Sequence, residues 1–205
     1  MENGDTSSPA LSWDGVFLSY PCQVYKLDLF TGSVLWRYAG PCEGGGGKTA
    51  AYAGGSVYVR DPSETTPVGT IYDAMTGATV GSFGGNNWMP IPALGTSAGY
   101  FSAAGTLRGQ DLLGKSVAWS FAGDGQLSSA PILIDDVVIV GSASGKVYAL
   151  DAVSGSETWV GSAGAAIPAP DEQNVSQPLT GLGAGEGYLV VPAGSTLTAW
   201  RIAGP

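Results

Sequence analysis

One segment of the sequence decides its fold: residues 145–159, which read GKVYALDAVSGSETW. Apolar and polar side chains alternate as far as Asp151, which is typical of a β-strand with one buried face. The residues that follow, Val153, Ser154 and Gly155, carry turn signals, because serine and aspartate side chains bond to turn backbone and glycine tolerates a positive φ. A second short run then ends at Trp159. The segment therefore predicts a β-hairpin with an acidic turn and an indole on its second strand.

The same unit recurs along the chain. In three copies a tryptophan follows the aspartate by eight residues. These pairs are Asp28 and Trp36, Asp111 and Trp119, and Asp151 and Trp159. A fourth copy begins at Asp73 and has Gly81 at the tryptophan position, and a fifth has Arg201 at the aspartate position. The five anchor positions lie 38 to 50 residues apart, which is the period of a β-propeller blade.

Each period also contains four short β-branched or aromatic runs separated by Gly, Asp or Ser. We therefore predict an all-β protein, a β-propeller of about five four-stranded antiparallel blades in a single domain over residues 1–205. The predicted blades span about 8–40, 48–84, 89–122, 128–162 and 177–205. The last repeat lacks its fourth strand. The blades form either a closed five-bladed ring or an arc of a larger seven- or eight-bladed propeller, and an arc would leave an open blade edge for self-association.

Composition excludes several functions. The net charge of −9 disfavours nucleic acid and anionic membranes as partners. The complete absence of histidine removes Ser-His-Asp catalysis and most zinc sites. No apolar stretch is long enough to span a membrane, and residues 1–20 show no signal-peptide pattern. High glycine and proline content predicts frequent turns.

The repeat resembles the PQQ-like repeat family, whose tryptophan docking motif reads Ala-x-Asp-x-x-Thr-Gly-x-x-x-Trp. Residues 149–159 match this motif with Ser154 in place of Thr, and residues 26–36 match it except at Lys26. Longer stretches are similar to secreted bacterial propellers related to BamB-type assembly factors: CEGGGG at 42–47, WSFAGDG at 119–125 and AAIPAPDEQNVSQPL at 165–179. The resemblance implies a propeller in the periplasm or outside the cell. Its motif aspartates and tryptophans, Asp73 included, would be structural.

The resemblance also bears on cofactors. Quinoprotein dehydrogenases of this type have adjacent cysteines against the quinone PQQ and a calcium ion beside a catalytic aspartate. Here Cys22 and Cys42 are twenty residues apart, and no catalytic segment matches. We therefore expect neither PQQ nor calcium, and no metal site.

Candidate binding residues gather on one face. In an up-and-down blade, the connections between strands two and three and those to the next blade emerge on the same side, here named the loop face (residues 40–48, 61–69, 84–91, 122–127 and 162–177). Cys22 and Cys42 both fall on it, which predicts a disulfide; two buried thiols are the alternative. The candidate ligand-binding residues on or beside this face are Glu43, Lys48, Arg60, Asn87, Trp88, Asp124, Asp171 and Glu172.

Three functions are compatible with this pattern. The first is a non-catalytic extracellular or periplasmic module that binds a protein, small molecule or carbohydrate on the loop face. The second is a glycoside hydrolase or lyase with paired carboxylates from the pool Glu43, Asp61, Asp124, Asp171 and Glu172. The third is a PQQ- and calcium-dependent oxidoreductase. Because no reactive constellation is visible, we expect the non-catalytic module.

Overall fold

The computed structural model describes residues 7–20, 22–40, 49–60, 69–84, 90–112, 116–170 and 181–202. Within these ranges the chain forms strands and turns and no helix, so the prediction of an all-β protein is confirmed. The strands form five antiparallel sheets in chain order, which confirms about five blades. Over the described ranges no helical segment could cross a bilayer.

Each sheet is an up-and-down meander, in which every strand pairs with the next along the chain. The first sheet contains β1 (Ala10–Leu11), β2 (Val16–Tyr20), β3 (Gln23–Leu27) and β4 (Val34–Ala39). The second contains β5 (Ala50–Ala53), β6 (Ser56–Val59), β7 (Gly69–Asp73) and β8 (Thr79–Phe83). The third contains β9 (Ala93–Leu94), β10 (Ala98–Ala103), β11 (Thr106–Asp111) and β12 (Val117–Phe121).

The last two sheets differ in strand number. The fourth contains β13 (Ile132–Ile134), β14 (Val137–Gly141), β15 (Lys146–Asp151) and β16 (Glu157–Ser162). The fifth contains three strands, β17 (Gly183–Gly185), β18 (Tyr188–Ala193) and β19 (Thr196–Arg201). In the described residues the last repeat therefore lacks a fourth strand, as its sequence predicts.

The aspartate turns connect the third and fourth strands of the first, second and fourth sheets. In the first, Asp28 Oδ1 accepts hydrogen bonds from the Phe30 amide at 3.0 Å, the Thr31 amide at 2.7 Å and the Thr31 hydroxyl at 2.8 Å. The turns at Asp73 and Asp151 repeat these three bonds. Hydrogen bonds from the residue three positions on hold the pKa of each of these carboxyls below its usual value. The turn at Asp111 differs, because Ser116 is the donor to its carboxylate.

Four apolar clusters join the five sheets in series. Strand alternation explains this, because successive side chains point to opposite faces. In β14, for example, Val138 and Val140 belong to the cluster with the third sheet, whereas Ile139 belongs to the cluster with the fifth. Two further clusters join the first sheet to the second and the second to the third. No cluster of described buried residues joins the fifth sheet back to the first.

Indole hydrogen bonds connect neighbouring sheets at two of these interfaces. Trp36 Nε1 donates to the carbonyl oxygen of Ala74 in the second sheet at 3.1 Å. Trp119 Nε1 donates to the carbonyl oxygen of Ala152 in the fourth sheet, also at 3.1 Å. The second sheet has Gly81 instead of tryptophan, and the rings of Tyr58, Phe83 and Phe101 fill its interface with the third. The tryptophan of each contacting pair thus belongs to one sheet and its acceptor to the next.

Removing the indole of Trp36 is expected to destabilise the protein in two steps. Trp36→Phe keeps a ring but loses the bond to Ala74, at a cost of about 1 kcal/mol in the free energy of unfolding. Trp36→Ala also leaves a cavity at the sheet interface, at a cost of about 3 kcal/mol. Urea titration followed by far-UV circular dichroism measures both. Trp13→Ala is the control, since Trp13 is 81% exposed and should change stability by less than about 0.5 kcal/mol. Equal effects of Trp36→Ala and Trp13→Ala would contradict the assigned role.

Candidate functional site: the loop face

The structure describes two of the eight residues predicted to bind a ligand, Arg60 and Asp124. The other six lie outside the described residues: Glu43, Lys48, Asn87, Trp88, Asp171 and Glu172. Cys42 and Asp61 also lie outside them. Arg60 follows β6 directly and is only 2% exposed, so its side chain is buried rather than presented to solvent.

The end of β4 lies beside the turn that contains Cys22. Cys22 is buried between β2 and β3 and has a φ of +59°. Its carbonyl oxygen accepts a hydrogen bond from the Gly40 amide at 2.9 Å, one position beyond the pairing of Gln23 with Ala39. The connection between strands two and three and the exit from strand four therefore emerge together.

The segments that link one sheet to the next lie over the turns of the loop face. Leu127, in the link from the third to the fourth sheet, forms β-bridges to Gly105 on one side and Ser142 on the other. In the next link, Ala163 donates to the carbonyl oxygen of Gly145 at 2.8 Å. Gly145 has a φ of +87°, and a Cβ at this position would collide with the Ala165 backbone. Glycine is required here by both the backbone conformation and the close approach of the link.

Asp124 is fixed by the turn between β14 and β15. The Ser142 hydroxyl donates to its carboxylate at 2.8 Å, and the Ser144 hydroxyl makes a further short bond. The Gln126 amide donates to Asp124 Oδ1 at 3.1 Å. Burial raises the pKa of the Asp124 carboxyl, but the hydrogen bonds from Ser144, Ser142 and the Gln126 amide outweigh this, so the pKa lies below its usual value.

The hydrogen bonds to the Asp124 carboxylate indicate a structural role rather than acid–base catalysis. A carboxylate with a lowered pKa stays ionised at neutral pH and cannot act as a general acid. Ser142 is fully buried and bonded to that carboxylate, and the sequence has no histidine to activate a hydroxyl. Among the described residues no three His, Cys, Asp or Glu side chains form a metal-binding group.

The residues present do not fit a quinone cofactor of the PQQ-like dehydrogenases. Such a site needs adjacent cysteines and calcium ligands, whereas the two cysteines are twenty residues apart in sequence. The interfaces that the structure describes are filled by apolar clusters.

The sequence predicted a role for Asp124 but not for the serines that bond to its carboxylate. Ser142 and Ser144 lie in GSASGK, residues 141–146, which reads only as a turn. Ser128 was missed as well, although its hydroxyl donates to the carbonyl oxygen of Ile167 at 2.6 Å. The serine-rich turn is the one sequence feature that indicates a hydrogen-bond network here, and it does not indicate which acidic residue accepts the bonds.

Removing the acceptor at Asp124 is expected to loosen the link from the third to the fourth sheet. Asp124→Asn should lower the free energy of unfolding by about 1–2 kcal/mol at pH 7, because bonds to a charged acceptor contribute more than neutral ones. The difference from the parent protein should shrink as the pH falls through the lowered pKa, where the parent carboxyl is protonated as well. Urea titrations between pH 2 and 7 measure this. Exposed Glu157, replaced by Gln, is the control, and an unchanged Asp124→Asn protein would refute the assignment.

Comparison with known proteins places the chain in a family. A family model described as outer membrane protein assembly factor BamB matches residues 4–159 and, in a second overlapping match, residues 70–204. No curated protein matches the sequence.

Solved structures share the fold at low identity. BamB from Moraxella catarrhalis is 19% identical and superposes with a TM-score of 0.72 over 98% of this chain and 59% of that one. The computationally designed Ika8 protein is 16% identical, with a TM-score of 0.68 over 98% of this chain and 60% of that one. A chain of the mitotic checkpoint complex is 14% identical, with a TM-score of 0.70 over 95% and 60%. The chain thus spans about three-fifths of the length of these structures.

Family matches that together cover almost the whole sequence, five consecutive antiparallel sheets and the superposition on BamB lead to one conclusion. The chain belongs to the BamB-type family of PQQ-like β-propeller repeat proteins.

Proposed function

We propose that this protein is a non-catalytic propeller scaffold that binds another protein through its loop face, in the periplasm or outside the bacterial cell. The observation that carries the proposal is the state of Asp124, whose carboxylate accepts hydrogen bonds from two serine hydroxyls and a backbone amide. Asp124, the one acidic candidate among the described residues, thus holds the link from the third to the fourth sheet in place. The family description, an outer membrane assembly factor, supports a protein partner and a location beyond the inner membrane.

The described part of the loop face offers suitable contact groups. Gln126 is exposed on the link from the third to the fourth sheet, Ala143 and Ser144 are exposed on the turn between β14 and β15, and Lys146 is exposed at the start of β15. The backbone beneath them is fixed by the Ala143 amide, which donates to the carbonyl oxygen of Gln126 at 2.9 Å. A rigid surface with small and polar side chains is suited to a protein partner, because little conformational entropy is lost on binding.

Site-specific photocrosslinking tests the proposed surface. A benzophenone amino acid replaces Ala143 or Gln126 on the loop face, and Val160 on the outer strand β16 is the matched exposed control. We expect a discrete crosslinked band from cells at Ala143 and Gln126 and none at Val160, with the same partner identified by mass spectrometry at both positions. Crosslinking at Val160 alone would contradict the proposal. So would turnover of a glycan by the purified protein that Asp124→Asn abolishes.

The predicted disulfide belongs to the same proposal. The Gly40 amide bonds to the Cys22 carbonyl, so the chain leaves β4 next to Cys22, and Cys42 follows two residues later in sequence. We propose that Cys22 and Cys42 form a disulfide that ties the first loop-face connection to the exit of its sheet. An oxidising compartment would allow this bond to form.

The disulfide is testable by mass. The intact protein, alkylated without reduction, should carry no adduct, and prior reduction should add two. Cys22→Ser with Cys42→Ser should lower the free energy of unfolding by about 3 kcal/mol in the chain-entropy model, whereas reducing agent should not affect the double variant. Two adducts on the unreduced protein purified from the periplasm would contradict the pairing.

A further inference from the structure

We propose that the side of the protein opposite the loop face binds a basic polypeptide segment that carries both lysine or arginine and apolar side chains. This side, here named the turn face, contains the described turns that connect strand one to strand two and strand three to strand four. Its residues are 12–15, 28–33, 54–55, 74–78, 95–97, 135–136, 152–156 and 186–187. The inference concerns a different surface from the loop face and does not depend on the function proposed above.

The most exposed large apolar side chains of the described residues all lie on the turn face. Phe30 is 90% exposed, Trp13 81%, Val153 80% and Met75 76%. Phe30, Met75 and Val153 occupy one position of the repeat, two residues after the turn aspartate of the first, second and fourth sheets. Exposed apolar residues that recur at one position on one side of a protein indicate a contact surface, whereas scattered ones do not.

The turns themselves do not require apolar residues at this position. Each of the three residues contributes its backbone amide, which donates to Oδ1 of the aspartate at 3.0 Å for Phe30 and at 3.1 Å for Met75 and Val153. Any residue except proline supplies such an amide, and polar residues are the common choice in exposed turns. The fold therefore gives no reason for these three side chains to be apolar, whereas a partner with apolar groups does.

An ion pair joins Trp13 to the same surface. Trp13 lies in the turn between β1 and β2, next to Asp14. Asp14 Oδ2 accepts a hydrogen bond from Lys26 Nζ at 2.6 Å, and Lys26 lies two residues before Asp28. The turn that carries Trp13 is thus tied to the strand that leads into the turn of Phe30. Lys26 is only 3% exposed, so its paired ammonium adds no accessible positive charge to this face.

The turn face is strongly negative. Of the ten carboxylates in the described ranges, Asp124 lies on the loop face and the other nine lie at the turn-face end of the sheets. These nine are Asp14, Asp28, Asp73, Asp111, Asp135, Asp136, Asp151, Glu157 and Glu186. In the same part of the chain, Arg201 is the one exposed basic residue at this end. The resulting field attracts a basic partner.

Carboxylates and exposed apolar side chains lie side by side on the turn face. In the fourth sheet the Ala152 amide donates to the carbonyl oxygen of Asp136 at 2.8 Å, which places exposed Asp135 and Asp136 beside the turn that carries Val153. In the three aspartate turns the side-chain bonds go to Oδ1, and no hydrogen bond from the described residues reaches Oδ2. That oxygen can accept a bond from a lysine or arginine of a partner.

Charge complementarity selects the occupant of the turn face. A second copy that docked through the same face would bring carboxylates against carboxylates, which costs free energy. Nucleic acid and anionic membranes are repelled for the same reason. A purely apolar partner would cover carboxylates without giving them a counter-charge, which is also unfavourable. A basic polypeptide segment with apolar side chains satisfies both the exposed apolar residues and the carboxylates between them.

Peptide binding to the full chain tests the inference. The probe is a short peptide of alternating lysine and leucine, and its controls alternate lysine with serine and glutamate with leucine. Amide NMR maps the contact, and fluorescence anisotropy of the labelled peptide gives the Kd.

Two variants of the protein separate the apolar from the charged contribution. One combines Phe30→Ser, Met75→Ser and Val153→Ser, and its matched control is Leu197→Ser, since Leu197 is 70% exposed near the start of β19, at the opposite end of the sheets. The other combines Asp135→Asn with Asp136→Asn. Because all these side chains are exposed, the unfolding temperature should stay unchanged, and thermal unfolding checks that each variant is folded.

We expect the lysine–leucine peptide to shift the amide signals of Met75, Asp136 and Val153 and to leave those of Gln126 and Ala143 on the loop face unchanged. The triple serine variant and the double asparagine variant should each raise the Kd about tenfold, and Leu197→Ser should not change it. Both control peptides should bind more weakly than the probe.

An unchanged Kd for the triple serine variant would overturn the inference, and so would equal binding of either control peptide. Concentration-dependent shifts of the Met75 and Val153 signals without peptide would also overturn it, because a second copy would then be the occupant. Binding of the parent protein to phosphatidylcholine vesicles that the triple serine variant loses would do the same, because the occupant would then be a membrane.

Discussion

The architecture depends on one repeated constraint: a sheet with apolar side chains on both faces must bury them against the neighbouring sheets. A strand such as β14 sends Val138 and Val140 to one neighbour and Ile139 to the other, so a sheet cannot bury itself. Stability is therefore shared between neighbours in series, as in other repeat proteins. The indole bonds at Ala74 and Ala152 are the directional part of this contact, since an apolar cluster alone would tolerate sliding of one sheet over the next.

The aspartate turn makes that directional contact repeatable. In three turns the aspartate carboxylate accepts hydrogen bonds from the amides two and three residues later. These bonds fix the same turn geometry, and with it the position of the next backbone carbonyl and of the glycine. The indole of the preceding sheet donates to this carbonyl and packs on the glycine. Where Gly81 replaces tryptophan, phenylalanine and tyrosine rings restore the apolar area without an indole donor.

Much of this was predictable from sequence because it is local and periodic. The spacing from Asp151 to Trp159 and its copies predicted five sheets. The spacing could not predict which side chains form hydrogen bonds between a link and the next sheet. Asp124 lies in the link before the fourth sheet and Ser142 in a turn of that sheet, 18 residues later, and neither segment indicates that the two side chains bond. Arg60 illustrates the same limit, since its position beside the loop face predicted a ligand-binding side chain and the folded protein buries it.

The most direct test of the account is hydrogen exchange at the indole nitrogens of the parent protein, followed by NMR at a single pH. The account predicts slow exchange of the Trp36 and Trp119 indole N–H groups, which bond to carbonyl oxygens of the next sheet, and fast exchange of exposed Trp13. Exchange of Trp36 and Trp119 as fast as that of Trp13 would contradict the claim that these bonds connect the sheets.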